Sequence, residues 1–211
     1  MSYYRDQLEK WLQTISINTE HVLDIGGASN PARRRIRHFE ANTCTFFDLG
    51  VEEPVVEYFE FDINLPLTQF EGYDPYDRKE KFNYLLPTKP NLFQFDAVFC
   101  LEVFEYVWNP VQAMKNIYDL MNNDSVCYIS FPAIYPVHNP VEIDYLRYTK
   151  KAIEKYLNDN GFTGIEISPR VATMGRGLLA TFYSEEGMHP VRKSDLPFDI
   201  GYLVKARKII I

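Results

Sequence analysis

The sequence predicts an α/β protein: a Rossmann-like, doubly wound and mostly parallel seven-stranded sheet with helices on both faces. Short apolar runs bounded by turn residues alternate with amphipathic segments, which is the pattern of parallel strands joined by crossover helices. Three consecutive early strand-like runs also end in an acid, namely Asp24, Asp48 and Asp62. Because sheets of this kind bind ligands beyond the carboxyl ends of their strands, these acids predict a binding site at that edge.

Length and composition predict one globular domain over residues 1–211. The hydrophobic fraction of 46% and the charged fraction of 24% are ordinary for such a protein. The net charge of −7 makes a phosphate backbone an unfavourable partner, so no nucleic acid is expected. The N-terminus is polar rather than a signal peptide, and no apolar run has the length of a membrane span.

Three cysteines indicate a reducing compartment. Cys44, Cys100 and Cys127 each lie in an apolar strand-like run, and no two have the spacing of metal ligands or of a redox motif. Buried, reduced thiols are the simplest interpretation of this pattern. Because stable disulfides are rare in the cytoplasm, free thiols favour a cytoplasmic protein.

The first third of the chain has the pattern of two helices and three strands. Leu8, Trp11 and Leu12 recur at helical spacing and predict a helix over residues 3–14. Short apolar runs that end at an acid predict strands, and the basic stretch after the first of them predicts a helix. These ranges are strands 21–25, 43–47 and 58–61 and a helix at about 32–40.

The middle of the chain begins with a surface insertion at about 64–94, which shows no clean period except for a short helix predicted near 77–85. A buried strand is predicted at 95–101. Asn109 as cap and Pro110 at the first position then open a helix whose apolar stripe includes Met114 and Ile117. The polar run 122–124 is expected to end this helix.

The last third contains a strand, a helix and two final strands. Thr149 is a suitable cap for the helix, and Gly161 stands where a left-handed helix terminus favours glycine. The segment at about 172–199 is mixed in composition and is left unassigned as a variable segment. The predicted ranges are strand 125–131, helix 150–160 and strands 164–170 and 201–207.

A glycine-containing turn, Asp24-Ile-Gly-Gly-Ala-Ser-Asn30, follows the first strand. Its spacing, D-x-G-x-A-x-N, resembles the methyltransferase pattern D/E-x-G-x-G-x-G, with Ala28 and Asn30 replacing two glycines. The alternative is a dinucleotide fingerprint, G-x-G-x-x-G with an acid about 20 residues on, which Asp48 would supply. Pro31 occupies the third glycine position of that fingerprint, and an acid before the turn would repel a pyrophosphate. An ordinary strand-to-helix turn is the third interpretation.

Two longer segments carry a resemblance to class I S-adenosylmethionine-dependent methyltransferases, and more narrowly to the small UbiE/UbiG-like domains. Phe95-Asp-Ala-Val-Phe-Cys-Leu-Glu-Val-Phe-Glu-Tyr-Val-Trp-Asn-Pro110 is similar to their F-D-x-V-x-x-x-E-V-L-E-H-V-x-x-P block. Pro136-Val-His-Asn-Pro-Val-Glu-Ile-Asp-Tyr-Leu-Arg-Tyr-Thr149 resembles an H-x(n)-D-Y-W-R-F-T segment of some bacterial members. The resemblance covers roughly residues 20–165, apart from the insertion.

The resemblance implies that S-adenosylmethionine is the cofactor and assigns residues to its parts. The turn would line the methionine part, the acid of the second strand would bind the ribose, and the residues after the third strand would meet the adenine. The last two residues of the strand at 95–101 would lie under the methionine arm. In chain order the implied cofactor residues are Asp24, Gly26, Gly27, Ala28, Asp48, Leu49, Asp62, Ile63, Cys100 and Leu101.

A metal is not expected. Glu102 and Glu105 are three residues apart and would share a face if their segment were helical. Some relatives bind a metal through E-x-x-E-H, but the histidine position is Tyr106 in this sequence. Capping or surface carboxylates are therefore the preferred interpretation.

The acceptor side is predicted in the loop after the strand at 125–131. His138 has a pKa suited to a base near neutrality, and we expect it to accept a proton or to orient the acceptor. A loop histidine that holds the backbone is the alternative. Tyr145 and Arg147 are candidate acceptor-binding residues, although Arg147 could instead pair with Asp144 and fix the loop.

These observations predict a methyltransferase that acts on oxygen in a small molecule or glycan. A non-catalytic binding or assembly module with the same fold is one alternative, and an NAD-dependent oxidoreductase is another. Four arginines at positions 33, 34, 35 and 37 are interpreted as a solvated helix face, with a docking patch for phosphate-bearing acceptors as the alternative.

Overall fold

A computed structural model describes residues 3–56, 58–67, 72–73, 81–82, 94–172 and 198–209. The helices are α1 (Tyr3–Leu12), α2 (Pro110–Leu120) and α3 (Lys150–Asp159). The strands are β1 (Ser16–Ile25), β2 (His38–Asp48), β3 (Phe59–Glu60), β4 (Gly72–Tyr73), β5 (Lys81–Phe82), β6 (Phe95–Cys100), β7 (Met121–Pro132), β8 (Thr163–Ala172) and β9 (Phe198–Lys208).

Seven strands form the main sheet in the order β3-β2-β1-β6-β7-β9-β8. The first five strands of this order pair in parallel, and β9 runs antiparallel to both of its neighbours, β7 and β8. The chain moves outwards from β1 to β3 and then restarts on the other side of β1 with β6. The carboxyl ends of β1 and β6 therefore flank the switch point, where open α/β sheets bind ligands. The predicted fold class is confirmed.

Helices cover both faces of this sheet because side chains alternate along its strands. In β1, Leu23 and Ile25 join an apolar cluster completed by buried residues of α2 and α3. Val22 belongs to the opposite cluster, which α1 completes with Leu8 and Leu12. The two-faced pattern holds β1 in one register, since a slip of one residue would exchange its faces.

The predicted helix ends after β6 are confirmed with small shifts. Asn109 accepts a hydrogen bond from the amide of Gln112 at 3.4 Å and caps α2, and Thr149 caps α3 through the amide of Ala152 at 3.3 Å. Gly161 adopts the positive φ of 85° expected after α3. The polar run 122–124 belongs to β7 rather than to a turn, so β7 begins directly after α2.

The helix predicted at about 32–40 is wrong. A single turn of 3-10 helix occupies Ala32–Arg34, and β2 already begins at His38. The pairing of β1 with β2 starts at Ser16 and His38, so both strands are longer than predicted. The basic run is consequently not one solvated helix face: Arg35 forms an ion pair with Glu9 of α1 at 2.8 Å.

The insertion at 64–94 is described only in part. The short helix predicted near 77–85 is contradicted at Lys81–Phe82, which form β5 and pair antiparallel with β4. The rest of that predicted helix lies outside the described residues, as do residues 173–197 of the variable segment. None of the helices in the described segments combines the length and the apolar character needed to cross a lipid bilayer.

Candidate active site

The turn after β1 is built from two glycines that each leave room for a neighbouring group. Gly26 has a φ of +76°, and a Cβ on it would stand 2.3 Å from Cγ2 of Val103. A Cβ on Gly27 would stand 2.3 to 2.5 Å from the carboxylate atoms of Asp24. The amide of Gly26 donates to the carbonyl oxygen of Phe47 at 2.7 Å and so fixes the turn to β2. Both positions therefore exclude side chains.

Asp24 is a buried carboxylic acid beneath this turn. It is 4% exposed, and its Oδ2 accepts a hydrogen bond from the amide of Ala32 at 2.6 Å. Burial raises the pKa of Asp24 to about 7, although the Ala32 amide opposes this shift. The group is therefore balanced between its neutral and charged forms near neutral pH, and a neighbouring cation would favour the charged form.

Asp48, at the carboxyl end of β2, connects the turn to the second strand. Its Oδ2 accepts from the amide of Ala28 at 3.0 Å, and its Oδ1 accepts from the amide of Leu49 at 2.8 Å. Burial raises the pKa of Asp48 above its ordinary value. A carboxylate has about four acceptor sites, so two remain for a ligand. Leu49 is 49% exposed and presents an apolar surface beside this acid.

The residues after β3 are fixed to the start of α2. Oδ1 of Asp62 accepts from the backbone and side-chain amides of Asn64, at 2.9 and 2.8 Å. Oδ1 of Asn64 in turn accepts from the amide of Asn109, the cap of α2, at 2.9 Å. Ile63 is buried in the core cluster next to α2 and α3. The structure thus places Asp62 and Ile63 on a rigid connection between β3 and α2.

Cys100 and Leu101 end β6 with their side chains in opposite apolar clusters. Burial raises the pKa of the Cys100 thiol well above its ordinary value, which disfavours the thiolate form that a nucleophile requires. Because both side chains are in the core, the main chain at these positions is what faces the edge of the sheet. Sequence patterns locate such residues without distinguishing main-chain from side-chain contacts.

The two glutamates after β6 lie in a turn rather than a helix. Oε1 of Glu102 accepts from Arg170 at 2.7 Å and from Ser130 at 2.8 Å. Glu105 is 5% exposed. Its pKa is raised to about 7, mainly by burial and to a lesser extent by the negative charge of Glu102. Within the described part of the chain, no group of three His, Cys, Asp or Glu residues is arranged to hold a metal ion.

The loop after β7 is organised by an arginine and an aspartate. Arg147 donates to both carboxylate oxygens of Asp144, at 2.5 and 2.7 Å, and to the carbonyl oxygens of Tyr135 and Pro136 at 3.1 and 2.9 Å. Asp144 also accepts from the backbone amide of His138 at 2.6 Å. Of the two roles that the sequence left open for Arg147, the pairing with Asp144, which sequence analysis favoured, is therefore present, and it fixes the loop.

His138 and Tyr145 reach the turn after β6 from this loop. Nδ1 of His138 forms a hydrogen bond with the hydroxyl of Tyr106. The amide of Tyr145 donates to the carbonyl oxygen of Glu105 at 2.8 Å, while its side chain stays about half exposed. The structure thus brings His138 and Tyr145 to one place, adjacent to Tyr106 and Glu105.

Arg170 is a site residue that sequence analysis missed. Its side chain is completely buried, its Nε and Nη2 donate to the carbonyl oxygen of Tyr4 at 3.2 and 2.8 Å, and its guanidinium stacks over the Tyr4 ring. It therefore ties α1 to the turn that contains Glu102. The sequence contains one signal for it: Arg170 lies in a run that is predicted to be a strand. Arginine is rarely buried without a partner, so its position in a strand indicates a specific contact.

Comparison with protein families assigns the chain to a class. A family model described as a methyltransferase domain matches residues 2–167, so the chain belongs to this family. The prediction of a class I S-adenosylmethionine-dependent methyltransferase is thereby confirmed at the level of the class, and the narrower UbiE/UbiG-like assignment stays a prediction. The family assignment favours methyl transfer over the oxidoreductase alternative. The search of curated proteins finds no significant match.

Solved structures share the fold at low sequence identity. A methyltransferase from Bacillus halodurans is 13% identical with a TM-score of 0.58, and the match covers 96% of this chain and 99% of that one. A SAM-dependent methyltransferase from Archaeoglobus fulgidus is 14% identical with a TM-score of 0.57, covering 97% and 94%. For the 1,6-didemethyltoxoflavin-N1-methyltransferase of Burkholderia thailandensis the values are 14%, 0.55, 99% and 79%. These likenesses establish the fold.

Proposed function

We propose that the chain transfers the methyl group of S-adenosylmethionine to an oxygen atom of a small-molecule or glycan acceptor. The observation that carries the proposal is the turn after β1, which excludes side chains, with the buried Asp24 beneath it and Asp48 bound to its Ala28 amide. The proposed cofactor residues are Asp24, Gly26, Gly27, Ala28, Asp48, Leu49, Asp62, Ile63, Cys100 and Leu101.

The chemistry of these residues fits this cofactor. The free acceptor sites of Asp48 suit the two ribose hydroxyls, and the exposed side chain of Leu49 suits the adenine face. Asp24 is a buried acid with no basic residue within hydrogen-bonding distance among the described segments. The charges of Arg35 and Arg33 offset only part of the effect of burial on its pKa, so Asp24 favours a ligand that brings a further positive charge. The space that a Cβ of Gly27 would fill keeps the main chain open next to that acid.

The protein has two tasks in the reaction. The bound cofactor supplies a methyl group on a positively charged sulfur, which keeps the bonding electron pair when the methyl passes to the acceptor oxygen. The chain must hold the acceptor in line and exclude water. An acceptor hydroxyl must also lose its proton, and we assign the imidazole of His138 as the group that receives it.

The acceptor pocket is proposed between the turn after β6 and the loop after β7. Tyr145 presents a half-exposed aromatic ring to it. Arg147 acts on the pocket mainly through the loop, since its guanidinium binds Asp144 and three carbonyl groups. The net charge of −7 argues for an acceptor without many phosphates.

Calorimetric titration with S-adenosylmethionine, S-adenosylhomocysteine and NAD tests the cofactor part. We expect S-adenosylmethionine and S-adenosylhomocysteine to bind the wild type, and we expect their binding to be lost in Asp48→Ala. Asp96→Ala is a matched control, because Asp96 lies near the start of β6, at the opposite edge of the sheet. Binding of NAD alone would restore the oxidoreductase alternative. No binding of any of the three would favour the non-catalytic module.

A screen of hydroxyl-bearing acceptors with methyl-labelled cofactor tests the transfer. On the acceptor that it identifies, His138→Ala should lower turnover by about 10²- to 10⁴-fold while cofactor affinity is retained. His21→Ala serves as the control histidine, since His21 is located on β1 and bonded to Thr43 of β2. Unchanged turnover in His138→Ala would refute the assignment of the base.

A further inference from the structure

The hydroxyl of Tyr106 has two hydrogen-bond partners. One is Nδ1 of His138, and the other is the carbonyl oxygen of Asn139 at 2.7 Å. A carbonyl oxygen only accepts, so the single proton of the phenol is donated to Asn139. Towards His138 the hydroxyl is then an acceptor, and Nδ1 must carry a hydrogen.

The opposite arrangement leaves one contact without a hydrogen. If the phenol proton pointed to Nδ1, the oxygens of Tyr106 and Asn139 would face each other at 2.7 Å with no donor between them. Loss of the phenol proton would have the same effect. Burial raises the pKa of Tyr106 above its ordinary value, which keeps the hydroxyl protonated at neutral pH. One proton arrangement therefore satisfies every partner.

Both residues of the pair are fixed by their own neighbours. The backbone amide of His138 donates to Asp144, which Arg147 holds from the other side. The amide of Tyr106 donates to the carbonyl oxygen of Val103 at 2.9 Å, and the side chain of Val103 occupies the space against Gly26. Tyr106 is thus connected to the glycine turn of the proposed cofactor site.

We infer that Tyr106 is a positioning residue that fixes neutral His138 in the tautomer with hydrogen on Nδ1 and leaves Nε2 as the proton acceptor. The inference rests on the proposed function. The acceptor O–H bond breaks, its proton goes to the lone pair of Nε2, and its electron pair stays on oxygen to form the bond to the methyl carbon. Tyr106 stands where the resemblance has histidine, so the imidazole is supplied from a different loop and oriented by the phenol.

Nuclear magnetic resonance tests the tautomer without cofactor or acceptor. The protein is labelled with ¹⁵N-histidine, and long-range ¹H–¹⁵N correlations are recorded at a pH where imidazole is neutral. His138→Gln identifies the signals of His138 by their loss. We expect the Nδ1–H pattern in the wild type and a shift towards the Nε2–H pattern in Tyr106→Phe. Tyr156→Phe is the control, because it removes a phenol hydroxyl on α3 and should leave the pattern unchanged.

The kinetic consequence is measured on the acceptor found in the screen. Tyr106→Phe should lower kcat on the order of tenfold with unchanged cofactor affinity. In this variant only a fraction of the molecules has His138 in the tautomer whose Nε2 can accept the proton. Since the spectra need neither ligand, they test the tautomer separately: a failed acceptor screen counts against the proposed function, and an active His138→Ala enzyme refutes the assignment of the base. An Nε2–H pattern in the wild type, or an Nδ1–H pattern that persists in Tyr106→Phe, would overturn the inference.

Discussion

Nη1 of Arg170 donates a hydrogen bond to Oε1 of Glu102 across 2.7 Å and joins β8 to the turn after β6. The Arg170 side chain is fully buried, whereas that of Glu102 is 31% exposed. The other donors of Arg170 bind the carbonyl oxygen of Tyr4 in α1. One side chain therefore holds three elements together: β8, α1 and the turn after β6.

Removal of this arginine should destabilise the fold. Arg170→Met leaves Glu102 without its cation and Tyr4 without its donors, and we expect the free energy of unfolding to fall by about 3 kcal/mol in urea titrations. The double variant Arg170→Met/Glu102→Gln should recover part of this loss because no unpaired carboxylate remains. Equal stability of the single and double variants would show that the unpaired carboxylate of Glu102 carries no cost in the single variant.

Cofactor affinity should depend on pH through Asp24. Its pKa is about 7 in the free protein, and a cationic ligand group would lower that pKa in the complex. The dissociation constant of S-adenosylmethionine should therefore fall on the order of tenfold as the pH rises from about 6 to about 7.5.

Asp24→Asn provides the control for this pH dependence. It cannot ionise, so its weaker binding should be flat over the same range, apart from titration of the ligand itself. Calorimetry on the two proteins in parallel separates the protein from the ligand contribution. A wild-type affinity as flat as that of the variant would contradict the assignment of Asp24 to the cofactor site.

A methyl group at Gly27 should damage the turn. Gly27→Ala places a Cβ within 2.3 to 2.5 Å of the Asp24 carboxylate, so one of the two must move. We expect a loss of about 1–3 kcal/mol in unfolding free energy, as in other overpacked sites, together with weaker cofactor binding. In an Asp24→Ala background the same substitution should cost much less, and additive losses would argue against the clash.

Glu105 should make stability decrease as the pH rises. Its pKa in the folded protein is about 7, above the ordinary value near 4.5, so the folded state binds this proton more tightly than the unfolded chain. The contribution of the protonated form is complete below pH 4.5 and is lost as the pH rises through about 7. Glu105→Gln should therefore be about equal to the wild type in acid and about 1–3 kcal/mol more stable than it near pH 8.5. Urea titrations at both pH values measure this, and a pH-independent difference would be evidence against it.

The elements that sequence analysis located well are those whose signals are local. Asn109 and Thr149 act as caps where their residue types predicted it, and Gly161 has the positive φ that its position required. Asp24 and Asp48 stand at strand ends because the apolar runs before them are buried strands. Local hydrogen-bonding chemistry determines the two caps, the absence of a Cβ determines the position of Gly161, and the apolar pattern determines the strand ends.

The segment before β2 shows where local signals fail. The arginines around Ile36 have good helix propensity, but Ile36 and Ile17 are buried in the cluster that α1 covers. Pairing along β1 gives the backbone of β2 a partner over its whole length. The period of two at Phe39 and Ala41 is a signal for this strand, but polar neighbours weaken it. Tertiary pairing outweighs propensity here.

The contacts of Tyr106 and Arg170 were beyond the reach of sequence reasoning. Tyr106 meets His138 across 32 positions of the chain, and Arg170 meets Tyr4 across 166. No pattern of residues along the chain predicts such partners, because side-chain contacts between distant elements depend on the complete fold. Sequence analysis therefore identified His138 as a candidate but not the phenol that orients it.

The anchors of α1 have a consequence for biosynthesis. α1 is tied by hydrogen bonds of Arg170 to Tyr4 and of Gln7 to Val171, and both partners belong to β8. A ribosome delivers α1 early and these anchors only after most of the chain. During translation the nascent chain therefore holds α1 through the ion pair of Glu9 with Arg35 but without its attachments to β8, and this side of the molecule is completed only when β8 has been made.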